Sequence, residues 1–228
     1  MIAKPRTVVS AIPIFFILTG CGSHVTLEPP TIPAPNINRI PITIAVRLPE
    51  NFEDFTHVED VLGSEEWTIH LGRSNAVFFT QLLGYMFDNV IMLQADEDPE
   101  KYDFDALIEP SIDAFEFSVP NQTKTDAFAV WIRYRIKVYD RNGVMVANVP
   151  ISAYGKSLTT TMGGSSALKR AAVLAMRDAA ALMIIKFDDQ SLFASLGNPS
   201  TQLPAVAEEK VEDEAEAQAV VLGGSSNE

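Results

Sequence analysis

The most constraining stretch of this chain is the run over 127–153. Phe128, Val130, Ile132, Tyr134, Ile136 and Val138 occupy every second position, the period of a strand with one face in a core. Asp140-Arg141-Asn142-Gly143 comes next, and Asn-Gly supplies the positive φ of a hairpin turn. Residues 144–153 return as the following strand, where Pro150 argues for an edge position or a bulge. A hairpin this long and this strictly alternating must bury one sheet face, so other elements have to cover it.

Those elements are legible on both sides. Ile40, Ile42, Ile44, Val46 and Leu48 alternate as a strand. Phe52, Phe55, Val58 and Leu62, within the acidic stretch 50–66, predict a short helix or packed loop. Trp67, Ile69 and Leu71 predict a short extra strand. Ser74 is the expected N-cap of a helix reaching about residue 87, and 90–93 is a short strand after it. A helix between two strands implies a crossover and a parallel pair. In 104–119, Ala106, Ile108, Ile112 and Ala114 share one parity, and Phe115, Phe117 and Val119 the other. A bulge near Ala114 turns both sets to the core. Gly163-Gly164-Ser165-Ser166 opens a helix over 167–187 with seven alanines, whose small side chains let its axis sit close on a sheet. Residues 190–196 add a further turn, ended by Gly197 and Pro199. The expected fold is α+β: a two-layer sandwich of a four- to five-stranded, mostly antiparallel sheet with two main helices on one face.

The N-terminus bears on location. Lys4 and Arg6 precede an apolar run over 8–18, the length of a signal segment and short of the roughly 20 residues that span a bilayer. The run ends in Leu18-Thr19-Gly20-Cys21. This box resembles that of bacterial lipoproteins: an aliphatic residue, a small one, Gly or Ala, then Cys. The resemblance implies cleavage between Gly20 and Cys21, and diacylglycerol and palmitate on Cys21. Gly22, where Asp would favour the inner membrane, implies the outer membrane, with the domain facing the periplasm. Acyl chains contribute about 0.8 kcal/mol per buried methylene, so two or three give firm anchoring.

The expected division is 1–20 signal peptide, 21–38 lipidated Cys and Pro-rich tether, 39–198 globular domain and 199–228 acidic disordered tail. Pro29, Pro30, Pro33 and Pro35 favour an extended path for the tether. At about 3.1 Å per residue, it would hold the domain up to roughly 50 Å from the lipid. The tail carries seven acidic side chains and one lysine.

Composition narrows the chemistry. Lys+Arg of 17 against Asp+Glu of 30 gives a net charge of −13, a poor basis for nucleic-acid binding. The single cysteine excludes an internal disulfide or a multi-cysteine zinc site. His24, His57 and His70 have no metal-ligand spacing, and His57 reads as an exposed, ion-paired histidine beside Glu59 and Asp60. Gly155-Lys156-Ser157 lacks the glycine a phosphate loop needs at position 150. The acidic run around Asp96 to Asp105 has Lys101 and Leu107 where a calcium loop needs Gly and Glu. No pair among Glu109, Asp113 and Glu116 forms a recognisable catalytic set. The expectation is therefore no enzyme, no metal and no cofactor.

One feature runs against the acidic average. Trp131, Arg133, Arg135, Lys137 and Tyr139 share the outward parity of the 127–140 strand. They form a candidate partner-binding stripe for an anionic surface, unless the acidic segments 50–66 or 96–105 cover it. The pattern over 40–196 with its lipobox resembles small Gram-negative outer-membrane lipoproteins, among them the lipopolysaccharide-assembly lipoprotein and activators of penicillin-binding proteins. That resemblance implies a lipid-anchored, non-catalytic binding or scaffolding protein of a cell-envelope complex with an envelope protein as partner. The alternative it leaves open is a binder of an anionic envelope glycolipid or glycan, such as lipopolysaccharide or peptidoglycan.

Overall fold

The computed structural model describes residues 23–61, 65–123, 125–159 and 163–187, together with Phe193 and Leu196. The signal segment, Gly20, Cys21 and the 199–228 tail lie outside the described residues.

The elements are β1 (Ser23–Thr26), β2 (Ile40–Arg47), β3 (Thr56–Val61), β4 (Glu65–His70), α1 (Gly72–Met86), β5 (Phe87–Leu93), β6 (Ala106–Ser118), the single turn α2 (Pro120–Thr123), β7 (Ala127–Asp140), β8 (Met145–Leu158) and α3 (Gly164–Phe187). The architecture is α+β, as the alternation requires. A five-stranded sheet runs β5-β2-β6-β7-β8, and a second, three-stranded sheet runs β1-β4-β3. In the larger sheet β2 is parallel to both β5 and β6, whereas β6, β7 and β8 form the expected antiparallel meander. The crossover through α1 produces the parallel β2–β5 pair. Pro150 lies in β8, an edge strand.

Both long helices cover one face of the larger sheet. On it Phe78 and Phe79 of α1 meet Tyr134 of β7, with ring centroids 5.9 and 5.3 Å apart. Further along, Gly155 of β8 lies against the α3 backbone: a Cβ there would stand 2.1 Å from the Ala171 carbonyl oxygen and 2.4 Å from the Ala175 nitrogen. Ala167, Ala171, Ala172, Ala175, Ala179 and Ala180 are all buried, so the alanine-rich helix makes the close approach its composition predicts. Asp178 on α3 accepts a hydrogen bond from the backbone N–H of Tyr154 at 3.0 Å, which occupies a donor on the edge strand.

The bulge in β6 lies between Ile112 and Ala114. Phe115 and Phe117 are thereby buried with Ala106 and Ile108. Ala114, expected with the inward set, instead pairs with Arg133 on the opposite face, because the extra residue is Asp113.

Three further expectations are corrected. Within the 50–66 stretch, where the spacing predicts a helix or packed loop, residues 50–55 form a turn-rich loop with Phe52 buried, but Thr56–Val61 is strand β3, which pairs antiparallel with β4 from Thr56↔His70 to Val61↔Glu65. Sheet pairing overrides a helical spacing that rests on only four apolar residues. Ser74 does not cap α1. The helix starts at Gly72, and Ser74 Oγ donates to the Leu71 carbonyl at 2.8 Å. The earlier start follows from Gly72, where a Cβ would lie 2.2 Å from the Phe52 carbonyl oxygen, so only glycine lets the 52–53 turn pack there.

The third correction concerns 21–38. Ser23–Thr26 is strand β1, paired in parallel with β4, and Val25, Leu27 and Ile32 are buried. Arg177 on α3 donates to the Thr31 carbonyl at 3.1 Å. The prolines prevent regular structure over 27–39 but do not keep it off the domain, since apolar side chains between them find the core. Beyond α3, Phe193 packs on Phe87 and Phe187 with ring centroids 5.3 and 5.5 Å away; the rest of the turn expected at 190–196 lies outside the described residues, apart from Leu196. Among the described residues, no helix is long and apolar enough to cross a membrane.

Tyr134 is the polar point of the core. It is fully buried, and its hydroxyl donates to Asn75 Oδ1 at 2.5 Å, while Asn75 Nδ2 donates to the Leu71 carbonyl at 2.7 Å. Burial pushes the phenol pKa well above its ordinary value. Since the folded value is the higher one, this contribution is complete below pH ~10 and is lost as pH rises beyond it, by about 1.4 kcal/mol per pH unit. Tyr134→Phe is expected to cost about 1–3 kcal/mol at neutral pH, because Asn75 Oδ1 is left buried without its donor. The variant should also lose one proton's worth of slope above pH ~10. Urea melts from pH 7 to 11 check both, and an unchanged alkaline slope contradicts the assignment.

Candidate binding face

The face of the larger sheet opposite the helices is built by the odd-numbered residues of β7. The hairpin register sets Trp131 beside Tyr154, Arg133 beside Ser152, Arg135 beside Pro150 and Lys137 beside Asn148. On the other side β6 places Glu116 beside Trp131, Ala114 beside Arg133, Ser111 beside Arg135 and Glu109 beside Lys137. All five residues of the sequence-predicted stripe therefore share this face, but their surroundings divide them.

At one end Trp131 and Tyr154 are 44% and 43% exposed, with ring centroids 5.1 Å apart and planes at 46°. With Arg133, Glu116, Ala114 and Ser152 they line a shallow cleft of about 320 Å³. Arg133 is exposed, and no ion pair reaches it among the described residues. Two large amphipathic rings, a free guanidinium and a carboxylate thus converge on one opening.

In the middle, Arg135 is neutralised. Its Nη2 and Nε lie 2.7 and 2.8 Å from Asp113 Oδ2. Asp113 is the bulge residue, so the irregularity that turns Phe115 and Phe117 inward also turns a carboxylate toward Arg135. Ser111 Oγ donates to the same carboxylate at 3.2 Å. At the far end Arg47 holds Glu109, with Nη2 and Nε at 2.5 and 2.7 Å from Oε1. Tyr139 packs against a small apolar cluster of Ala45, Leu93, Phe104 and Leu107. Its pKa is raised, first by burial and then by Glu109. Of the three cations in the stripe, Arg133 thus lines a cleft, Arg135 is paired with Asp113, and Lys137 lies beside Glu109, whose carboxylate Arg47 holds.

The acidic segments settle elsewhere. β3 lies against the helix-side aromatics, where the His57 ring is 5.3 Å from that of Phe115. His57 Nε2 is 3.0 Å from Glu59 Oε2. The 96–105 loop covers only the Tyr139 end, where Arg141 Nη2 lies 3.0 Å from Asp103 Oδ1 and 3.7 Å from Asp105 Oδ1. Among the described residues no group of three or more acidic, His or Cys side chains is placed to hold a metal. Gly155-Lys156-Ser157 is extended strand near the end of β8, which is no phosphate-binding loop. Tyr154 on β8 is the cleft aromatic absent from the stripe read along β7, and Glu116, Ala114 and Ser152 come likewise from the flanking strands.

No family model matches this chain, and no curated protein matches it. Several solved structures resemble it distantly. A Xanthomonas campestris protein of family DUF330 is 11% identical over 71% of this chain and 92% of its own, with a TM-score of 0.48. A minor lipoprotein of Acinetobacter baumannii is 10% identical over 65% and 92%, with a TM-score of 0.39. A lipoprotein of Neisseria meningitidis is 15% identical over 63% and 98%, with a TM-score of 0.34. Likeness of this degree transfers no function to the chain.

Proposed function

We propose that the chain is a lipid-anchored cell-envelope protein, held at the outer membrane through Cys21 and facing the periplasm. It binds or scaffolds a protein partner without catalysing a reaction. Support for the anchor comes from the Leu18-Thr19-Gly20-Cys21 box behind a basic and apolar leader. The observation that carries the binding role is the exposed Trp131–Tyr154 pair beside the unpaired Arg133, on the sheet face that the helices leave open. Aromatic residues and arginine dominate the energetics of protein interfaces, typically at about 2 kcal/mol or more for each central residue.

The second reading is an envelope glycolipid or glycan ligand. It is favoured by the same ring pair, whose faces suit the C–H surface of a sugar while Arg133 meets a phosphate or carboxylate. The cleft residues test both. Trp131→Ala and Arg133→Glu are each expected to weaken capture by the purified soluble domain at least tenfold, with melting temperature nearly unchanged because both side chains are exposed. Loss of binding to an envelope protein supports the first reading, and loss of binding to purified lipopolysaccharide or peptidoglycan fragments supports the second. Full capture by both variants excludes the cleft.

A further inference from the structure

We infer that the domain lies directly on the bilayer that holds its anchor, with one defined end of the larger sheet against the lipid, and does not swing on a tether. This rests on the reading of Cys21 as the acylated residue. Only Gly22 separates Cys21 from Ser23, the first residue of β1. β1 pairs with β4 from Ser23↔Trp67 to Thr26↔His70. Behind it, Val25 and Leu27 are buried and Arg177 holds Thr31. Two residue steps span at most about 7 Å, so the acyl-bearing residue stays that close to a fixed strand. The slack that prolines 29–35 would give a tether lies on the wrong side of β1.

The direction of β1 selects the end. Trp67, the partner of Ser23, has its ring 6.0 Å from that of Phe128 and 5.6 Å from that of Phe117. Phe128 is the second residue of β7. β4 runs parallel to β1 and leads into α1, whose Asn75 meets Tyr134, six residues further along β7. Followed backwards, β1 therefore leaves the molecule past the end where β6 and β8 finish and β7 begins.

The two ends of the sheet differ in character. At the anchored end Leu158, the last residue of β8, is 66% exposed. Asp60 and Glu66 are acidic groups of this end, on the small sheet. The opposite end is about 45 Å away along β7 at roughly 3.4 Å per residue. It carries the 96–105 loop, with six carboxylates and one lysine, which an anionic leaflet repels. Trp131 and Tyr154 each lie four residues from the anchored end, about 14 Å from it at the same rise. The cleft thus opens close to the leaflet surface, and its occupant has to be reachable there.

Acylated Cys21 leaves no other thiol, so Leu158→Cys and Val144→Cys, both at exposed positions, each create a single labelling site. The acylated full chain, fluorescently labelled at either site, is placed in phosphatidylethanolamine–phosphatidylglycerol vesicles containing a headgroup nitroxide lipid. Quenching of the 158 label should exceed that of the 144 label at least threefold. Equal quenching of membrane-bound protein overturns the orientation and leaves the anchor standing. Protein that does not remain on the vesicles overturns the anchor as well.

Discussion

Gly155→Val is expected to abolish accumulation of folded protein. Gly155 sits in β8 where α3 crosses, and even the first carbon of a side chain would stand 2.1 Å from one α3 backbone atom and 2.4 Å from another. Backbone atoms of a helix cannot step aside singly, so α3 as a whole must lift from the sheet. That separates the buried surface formed by Ala167, Leu168, Ala171, Ala175, Met176 and Ala179 from β7 and β8. Overpacking that side-chain shifts can absorb costs about 1–3 kcal/mol. A collision with backbone exceeds that range, and domains of this kind have only about 5–15 kcal/mol in total. Gly143→Ala is the contrast. That glycine has φ +76 with open space around it, so the cost is the local backbone strain of about 1–2 kcal/mol. Circular dichroism melts of the two variants check the difference, and a Gly155→Val protein with a near-native melting temperature contradicts the packing described.

Cys21→Ala is expected to move the protein wholly out of the membrane fraction and to remove incorporation of labelled palmitate. If two or three acyl chains are attached as proposed, each with about a dozen buried methylenes, the anchor contributes well over 10 kcal/mol at about 0.8 kcal/mol per methylene. No surface contact of a domain this size replaces that. The fold should be untouched, since among the described residues the pairing of β1 starts at Ser23. Unchanged palmitate incorporation after Cys21→Ala contradicts the anchor; lost incorporation with unchanged melting temperature is the expected result.

The five-stranded sheet was legible because its core face follows a strict period of two. The parity switch between Ile112 and Phe115 even located the bulge. What escaped was pairing that local pattern does not encode. Val58 in β3 is exposed, so β3 shows little apolar alternation and owes its state to β4. β1 has four residues and one buried side chain, too little signal beside a proline-rich segment. The site was legible in part for the same reason. A strand pattern gives the outward set Trp131 to Tyr139 but not its neighbours on β6 and β8. Counting outward from the Asn142-Gly143 turn would have placed Tyr154 beside Trp131. Asp113 beside Arg135 depends on which residue the bulge extrudes, and that is set by the packing of Phe115 and Phe117.

The central claim is that the open sheet face near Trp131 and Tyr154 is where this protein meets its partner. Photo-crosslinking in intact cells tests it most directly, with a photoreactive amino acid at position 154 and, as a control on the helix side, at the exposed position 174. A discrete adduct from position 154 that disappears with Arg133→Glu, and none from position 174, is the predicted result. The same adducts from both positions, or none from position 154 in the membrane-anchored protein, would contradict it.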